Sequence, residues 1–371
     1  MVRPTLLVGA LASLALSLFT RATLAAHHPA SEPISPKVMI ITGFTPEREI
    51  WYPYNLTNDY PMPGFIPTYQ NVSCTASDEI CVMTMGQAEI GNGIAMTLLW
   101  SSPMFNLTET YFLIAGIGGV NPRYSTIGGV ALARYVVQVE MGMAFAGSDL
   151  PANFSDLYFF PSFVTSPNQY PSLAGTEVYG LNGALRDKVA SLVAEKNISF
   201  ADNPTAQAYR SKYTYAPARA APTVDKCDVA SAEVYWSGEV YARNVEYYVD
   251  LISNGTAKYC NTNEDDTGTM AGLLRGAMLG KLDFSRIVIA KGNSDFDRPP
   301  PGLSAYQNLM EVAQNGFEIC LQNLFAVGST FINDLVANWH STYKHGVKTQ
   351  NYVGDVCGYL GGTPDFGPGH C

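Results

Sequence analysis

Residues 286–297, RIVIAKGNSDFD, constrain the fold more than any other stretch of the chain. Ile287, Val288, Ile289 and Ala290 form a nearly unbroken apolar run, the pattern of a strand covered on both faces in a mostly parallel sheet. Polar residues begin where that run ends. Ligands of open α/β sheets sit in the crevice beyond the carboxyl ends of the strands, so Lys291, Asn293, Ser294 and Asp295 are expected at a site. Just upstream, Met270, Leu273, Leu274, Ala277, Met278 and Leu282 recur at three- and four-residue steps, which predicts a helix with one apolar face for the sheet. Its start is acidic. Glu264, Asp265 and Asp266 precede Thr267, where carboxylates complement a helix dipole and can cap free amides.

The 371 residues are 47% hydrophobic and 15% charged, enough for a large core. No internal repeat or composition shift marks a second domain. A net charge of −10 without a basic cluster argues against a nucleic-acid partner, which would need many Lys and Arg on one face. The N-terminus reads as a secretion signal, with Arg3, an apolar run over residues 6–19 and small residues at Ala25 and Ala26. That run of about 14 residues is short of the roughly 20 that a membrane span needs. Later apolar stretches are broken by Gly pairs, Arg134, Gln138 and Glu140. Residues 1–26 are therefore expected to be a signal peptide, 37–356 one α/β domain and 357–371 a Gly/Pro-rich tail. The mature chain is expected to be secreted, with no membrane span.

Six N-x-S/T sequons, at Asn55, Asn71, Asn106, Asn153, Asn197 and Asn254, point to a glycoprotein surface. Seven cysteines fit the same oxidising route. Cys74 and Cys81 can close a small loop, Cys227 and Cys260 bracket an aromatic-rich segment, and Cys357 and Cys371 can tie down the tail. Cys320 is left over. It lies on the apolar face of a helical pattern running from Tyr306 through Met310 and Phe317 to Leu324, which predicts a buried, inert thiol.

Residues 37–43 (KVMIITG) read as a first buried strand, with Glu47 just past its end behind Pro46. The Pro- and Tyr-rich residues 52–81 read as a surface excursion pinned by a disulfide. Strands are expected at 81–85, 111–115 and within 128–139, and helices at 89–100 and 181–195. Gly116, Gly118 and Gly119 follow the strand at 111–115, where glycines permit a tight turn or a close approach of backbone to ligand. Tyr235 and Trp236 stand beside polar residues and can stack on a flat heterocycle or pack in a core.

Other chemistries lack their residues. Among five histidines, His27, His28 and His370 lie near the ends, and His340 and His345 have no neighbouring ligand pattern, so a metal site and a Ser-His-Asp hydrolase are disfavoured. G-x-S-x-G, H-E-x-x-H, a phosphate-binding lysine loop and a complete G-x-G-x-x-G are missing. No cofactor is implied.

Four patches in order, ITGFTPERE (41–49), LIAGIGGVNP (113–122), NEDDTGTM (263–270) and IVIAKGNSDFD (287–297), resemble the nucleoside phosphorylase and nucleosidase superfamily. Within it they resemble the fungal purine nucleoside permeases. The resemblance implies a single-domain, three-layer α/β/α fold with a central mixed β-sheet, nucleoside phosphorylase-like. It further implies that Asp295 is the acid on the purine, that Glu47 orients water and that Lys291 stands near that water. One of Glu264, Asp265 and Asp266 would bind the sugar hydroxyls, Gly116 and Gly118 would line the sugar side, and Tyr235 and Trp236 would face the base.

On that basis the expected activity is hydrolysis of purine ribonucleosides such as adenosine, guanosine and inosine, by a metal-free homodimer. Two alternatives stand beside it. Phosphorolysis would use Arg48 or Arg123 to hold phosphate. A non-catalytic nucleoside-binding protein would assist purine nucleoside transport without itself crossing the bilayer.

Overall fold

In strand β1 (Val38–Thr42) all five residues are buried, Met39 and Ile41 in one apolar cluster and Val38 and Ile40 in another. Alternation along a strand sends successive side chains to opposite faces, so this sheet is covered on both. The computed structural model describes residues 32–151, 159–161, 164–166, 169–367 and 371. The expected signal peptide and Asn153 lie outside the described residues.

Residues 34–371 form one compact unit. After β1 come helix α1 (Thr45–Glu49), strands β2 (Leu56–Pro61), β3 (Asn71–Thr75) and β4 (Ile80–Thr84), helix α2 (Glu89–Ser101), and strands β5 (Tyr111–Val120), β6 (Val130–Ala133) and β7 (Tyr135–Gln138). A two-stranded ribbon, β8 (Gly142–Ala144) and β9 (Phe159–Pro161), precedes β10 (Val178–Gly180) and helices α3 (Gly183–Glu195), α4 (Pro204–Arg210) and α5 (Ala216–Arg219). The chain ends with β11 (Val224–Lys226), β12 (Asp228–Ser231), α6 (Glu239–Ile252), β13 (Tyr259–Asn263), α7 (Asp266–Met278), β14 (Ile287–Phe296), α8 (Phe317–Ala337) and β15 (Gly354–Asp355).

The main sheet runs β15-β10-β7-β12-β13-β5-β1-β4-β3-β2, with β14 also paired to β5 and to β6. β1 is parallel to β4 and β5, and β14 is parallel to β5, while β2–β3, β3–β4, β13–β5 and β14–β6 are antiparallel. The expected α/β class with a central mixed sheet is what the chain forms. One layer packs Met96 and Leu99 of α2 and Met270, Leu273 and Leu274 of α7 on the Met39/Ile41 face. The opposite layer packs Leu185 and Val189 of α3 and Leu324, Val327 and Phe331 of α8 on the Val38/Ile40 face. By length and composition α8 could cross a membrane, yet here Leu324, Val327, Phe331, Ile332 and Leu335 are buried inside the protein.

Several local expectations change. β5 does not end at Ala115. It continues through Gly116, Gly118 and Gly119, leaves β1 after Ile114 and, still parallel to β14, crosses to pair antiparallel with β13 at Thr262↔Gly119 and Asn261↔Val120. The missing side chains permit that crossing, because a Cβ on Gly118 would stand 1.8 Å from the Thr262 carbonyl oxygen. β14 likewise runs on to Phe296, so Lys291, Asn293, Ser294 and Asp295 lie in a strand rather than beyond one. The excursion at 52–81 contains β2 and β3, which extend the sheet from β4. The apolar pattern from Tyr306 to Leu324 is not one helix: a wide turn at Gln307–Glu311 is separated from α8, and Tyr306 and Met310 are exposed.

Disulfides join Cys74 to Cys81, Cys227 to Cys260 and Cys357 to Cys371, and Cys320 is buried as a free thiol. In the tail, Phe366 is buried against Tyr135. Asn55, Asn106, Asn197 and Asn254 are exposed, and Asn71 is half-buried.

Candidate functional site

The ends of β1, β5, β13 and β14 converge on a cavity of about 430 Å³. Gly43, Phe44 and Glu47 come from the first strand-to-helix turn, and Thr262, Asn263, Glu264 and Asp265 from the junction of β13 with α7. Ser294 and Asp295 of β14 form another side. Tyr235 and Trp236 follow β12, and the segment from Asn308 to Phe317 supplies the last wall.

Pro46 near the start of α1 favours a helical turn, and that turn folds Glu47 back onto the sheet. The Glu47 carboxylate accepts from the Gly43 amide at Oε2 (2.6 Å) and from the Ile117 amide at Oε1 (2.7 Å). It is 3% exposed. Burial pushes its pKa up to about 7; the Lys291 ammonium and the two amides oppose the rise, and the Asp265 charge adds to it.

Behind Glu47, the Lys291 ammonium is 3.2 Å from Asp265 Oδ1 and 2.9 Å from Asp266 Oδ1. Burial alone would lower the Lys291 pKa, but Asp265, Asp266 and Glu47 more than offset it and hold the ammonium charged. Burial also raises Asp266, to about 6, against the pull of Lys291. Three carboxylates thus share one buried cation, and burial drives the Glu47 and Asp266 pKa values up towards neutral against its pull.

Asp295 accepts from the Tyr235 hydroxyl at Oδ2 (2.5 Å) and from Ser294 Oγ at Oδ1 (2.6 Å). Its pKa is raised, chiefly by burial, with both hydroxyls opposing. Trp236 stacks on Tyr241 with centroids 5.5 Å apart and planes 14° apart, which fixes the ring at the cavity edge. Burial raises the Glu264 pKa, with Asp265 and Glu233 adding to it.

Of the residues picked out from sequence, Glu47, Gly118, Glu264, Asp265, Ser294, Asp295, Tyr235 and Trp236 line the cavity. Gly116, Lys291, Asp266 and Asn293 lie behind its wall. Asn293 is consumed by structure: its amide donates to Ser125 Oγ (3.0 Å) and the Thr126 carbonyl (3.1 Å) and it accepts from Asn261 (3.0 Å). The acids were expected to cap α7, but Asn263 does so, accepting from the Asp265 and Asp266 amides and donating to Asp266 Oδ2. An Asn shortly before a helix is a capping signal that could have located it. Phe44, Thr262, Asn308, Gln314 and Phe317 were not singled out. Among the described residues no group of three or more His, Cys, Asp or Glu is arranged to hold a metal.

Mixed α/β architecture and an acid-lined, aromatic-walled cavity at strand ends define the class of this protein. The particular family is read from its sequence: the purine nucleoside permease model matches residues 35–348, and the chain belongs to that family. A purine nucleoside permease of Candida albicans is 37% identical over 338 residues, covering 90% of this chain and 83% of that protein. A probable purine nucleoside permease of Schizosaccharomyces pombe is 30% identical over 315 residues, covering 82% and 90%. Among solved structures, a Helicobacter pylori 5′-methylthioadenosine/S-adenosylhomocysteine nucleosidase covers 82% of this chain and 99% of its own, at 13% identity and a TM-score of 0.49. Futalosine hydrolase of the same organism covers 81% and 100%, at 12% identity and a TM-score of 0.49. No residue role passes from these two structures to this chain.

The relatives correct the expectation of an enzyme. Proteins 37%, 36% and 30% identical across most of the chain are named permeases, as is the family itself, which overturns the expected N-glycosidic hydrolase.

Proposed function

We propose that this chain binds purine nucleosides without cleaving them and serves their transport, with adenosine, guanosine and inosine as its ligands. The observation that carries the reading is the coincidence, in a member of the purine nucleoside permease family, of a cavity of about 430 Å³ with aromatic rings and carboxylates on its walls. A purine ring needs flat apolar surface, which Phe44, Tyr235, Trp236 and Phe317 offer. Ribose hydroxyls are donors, and Asp265, Glu264 and Glu47 are acceptors on the same cavity.

The leader-like N-terminus, the sequons and the three disulfides support a secreted glycoprotein that hands nucleoside to a membrane carrier. A homodimer is part of this reading. Calorimetric titration of the secreted protein with the three nucleosides tests it, followed by chromatography of the recovered ligand. Saturable binding with intact nucleoside is expected, together with loss of radiolabelled guanosine uptake in cells lacking the protein. Absence of binding by all three would end the proposal.

A further inference from the structure

We infer that the cavity selects by charge, admitting uncharged purine nucleosides and refusing their 5′-monophosphates. The inference rests on the nucleoside-site reading above and adds the class of ligand that the site excludes. Glu47, Glu264, Asp265 and Asp295 are carboxylates on the wall, and none of the described residues lining it is Lys, Arg or His.

Phosphate recognition needs cations, usually Arg presenting paired donors, and among the described residues the cations near this site are already engaged. Lys291 is held by Asp265 and Asp266. Arg298, 1% exposed, pairs with Asp297, Glu239 and Glu246. Arg123 pairs with the same two glutamates, Glu239 and Glu246. Arg48 donates to Ser73 and Thr84, away from the cavity wall.

Helix amino termini are the other source of positive potential. α8 begins at the cavity with Gly316 and Phe317, and its dipole is worth about half a charge there. Glu318 in its first turn offsets that. The amino terminus of α2 is taken by the Glu233 carboxylate, which accepts from the Glu89 and Ile90 amides at 2.9 and 3.2 Å. A phosphate dianion entering this space meets a wall of carboxylates with no lysine, arginine or histidine among its described residues, in a partly desolvated setting where repulsion is far stronger than in water.

This choice places the protein in a reaction sequence. Nucleotides become ligands only after phosphomonoester hydrolysis, in which water breaks the P–O bond, the nucleoside leaves with its hydroxyl and inorganic phosphate is released. A phosphatase-type step must therefore supply this site.

The test is parallel calorimetric titration of the full secreted protein with guanosine and guanosine 5′-monophosphate, at low and high salt, for the wild type and Glu264→Gln. Folding of the variant is checked by circular dichroism. The expected result is binding of the monophosphate weaker than guanosine by roughly 100-fold or more at low salt, a gap that shrinks at high salt. Glu264→Gln narrows it several-fold. Monophosphate binding within about threefold of guanosine at low salt would overturn the inference while leaving the nucleoside site standing. Failure of guanosine itself to bind would overturn the nucleoside-site reading, and this inference with it.

Discussion

Glu47 and Lys291 meet across a single glycine. A Cβ built on Gly116 would stand 2.9 Å from Glu47 Oε1 and 3.0 Å from Lys291 Nζ, so the empty side of that residue is what lets the carboxylate and the ammonium share one buried space. Both side chains are anchored elsewhere, Glu47 by two amides and Lys291 by two aspartates. Neither can retreat without breaking those bonds. Gly116→Ala is therefore expected to cost about 1–3 kcal/mol of stability, as overpacking of a filled core does. Chemical denaturation measures it, and an unchanged midpoint would show that the pair has slack.

Lys291 is the cation that three buried carboxylates, Glu47, Asp265 and Asp266, have in common. Lys291→Met leaves them uncompensated and is expected to cost about 3–5 kcal/mol. Part of that loss returns when the pH is lowered and the acids take up protons. A variant as stable as the wild type at pH 7.5 would refute the role given to the ammonium.

Glu47 also sets a pH dependence. Its pKa rises from 4.5 in the unfolded chain to about 7 in the folded one, so folding takes up a proton between those values. Stability then falls as pH rises through the window, by about 3 kcal/mol from this group alone. Asp266, raised from 3.8 to about 6, pulls in the same direction. Glu47→Gln lowers stability overall, because its amide NH₂ meets an amide donor, yet it should flatten the slope between pH 5 and 7.5. An identical slope in the variant would assign the titration elsewhere.

How far the sequence reveals this site depends on its strands. The apolar residues 287–290 announce a doubly covered strand, and the acids before Thr267 announce a helix start, because both signals are local. Beyond residue 290, side-chain placement is set by partner strands. Strict alternation would put Lys291, Asn293 and Asp295 on one face. The pairing of β14 with β5 shifts between Asn293 and Asp295, which brings Ser294 and Asp295 together onto the cavity wall and leaves Lys291 and Asn293 behind it. A bulge of that kind leaves no periodic trace. Phe44 and Phe317, with ring centroids 6.3 Å apart, are brought together from distant parts of the chain, and no window of sequence contains both.

The disulfides offer a graded test. Cys227–Cys260 spans 33 residues and Cys74–Cys81 only 7, and the latter joins residues already paired between β3 and β4. Loop-closure entropy assigns about 4 kcal/mol to the longer bridge and about 2 to the shorter. Replacing Cys227 and Cys260 together by alanine is expected to lower the denaturation midpoint more than replacing Cys74 and Cys81. The reverse order would mean that native contacts of β3, rather than chain entropy, dominate.

Phe317 separates binding from folding. It lines the cavity at the first residue of α8, is 36% exposed, and leans on Phe44 at a tilt of 51°. Because the ring is only partly buried, Phe317→Ala should cost less than about 1 kcal/mol of stability. A purine stacked on it would lose an aromatic contact worth about 1 kcal/mol, so guanosine affinity should fall several-fold while the denaturation midpoint barely moves. A pyrimidine nucleoside presents less ring area and should lose less. If the variant binds guanosine as tightly as the wild type, the purine does not lie against this wall, and Tyr235 and Trp236, elsewhere on the cavity, become the surface to remove next.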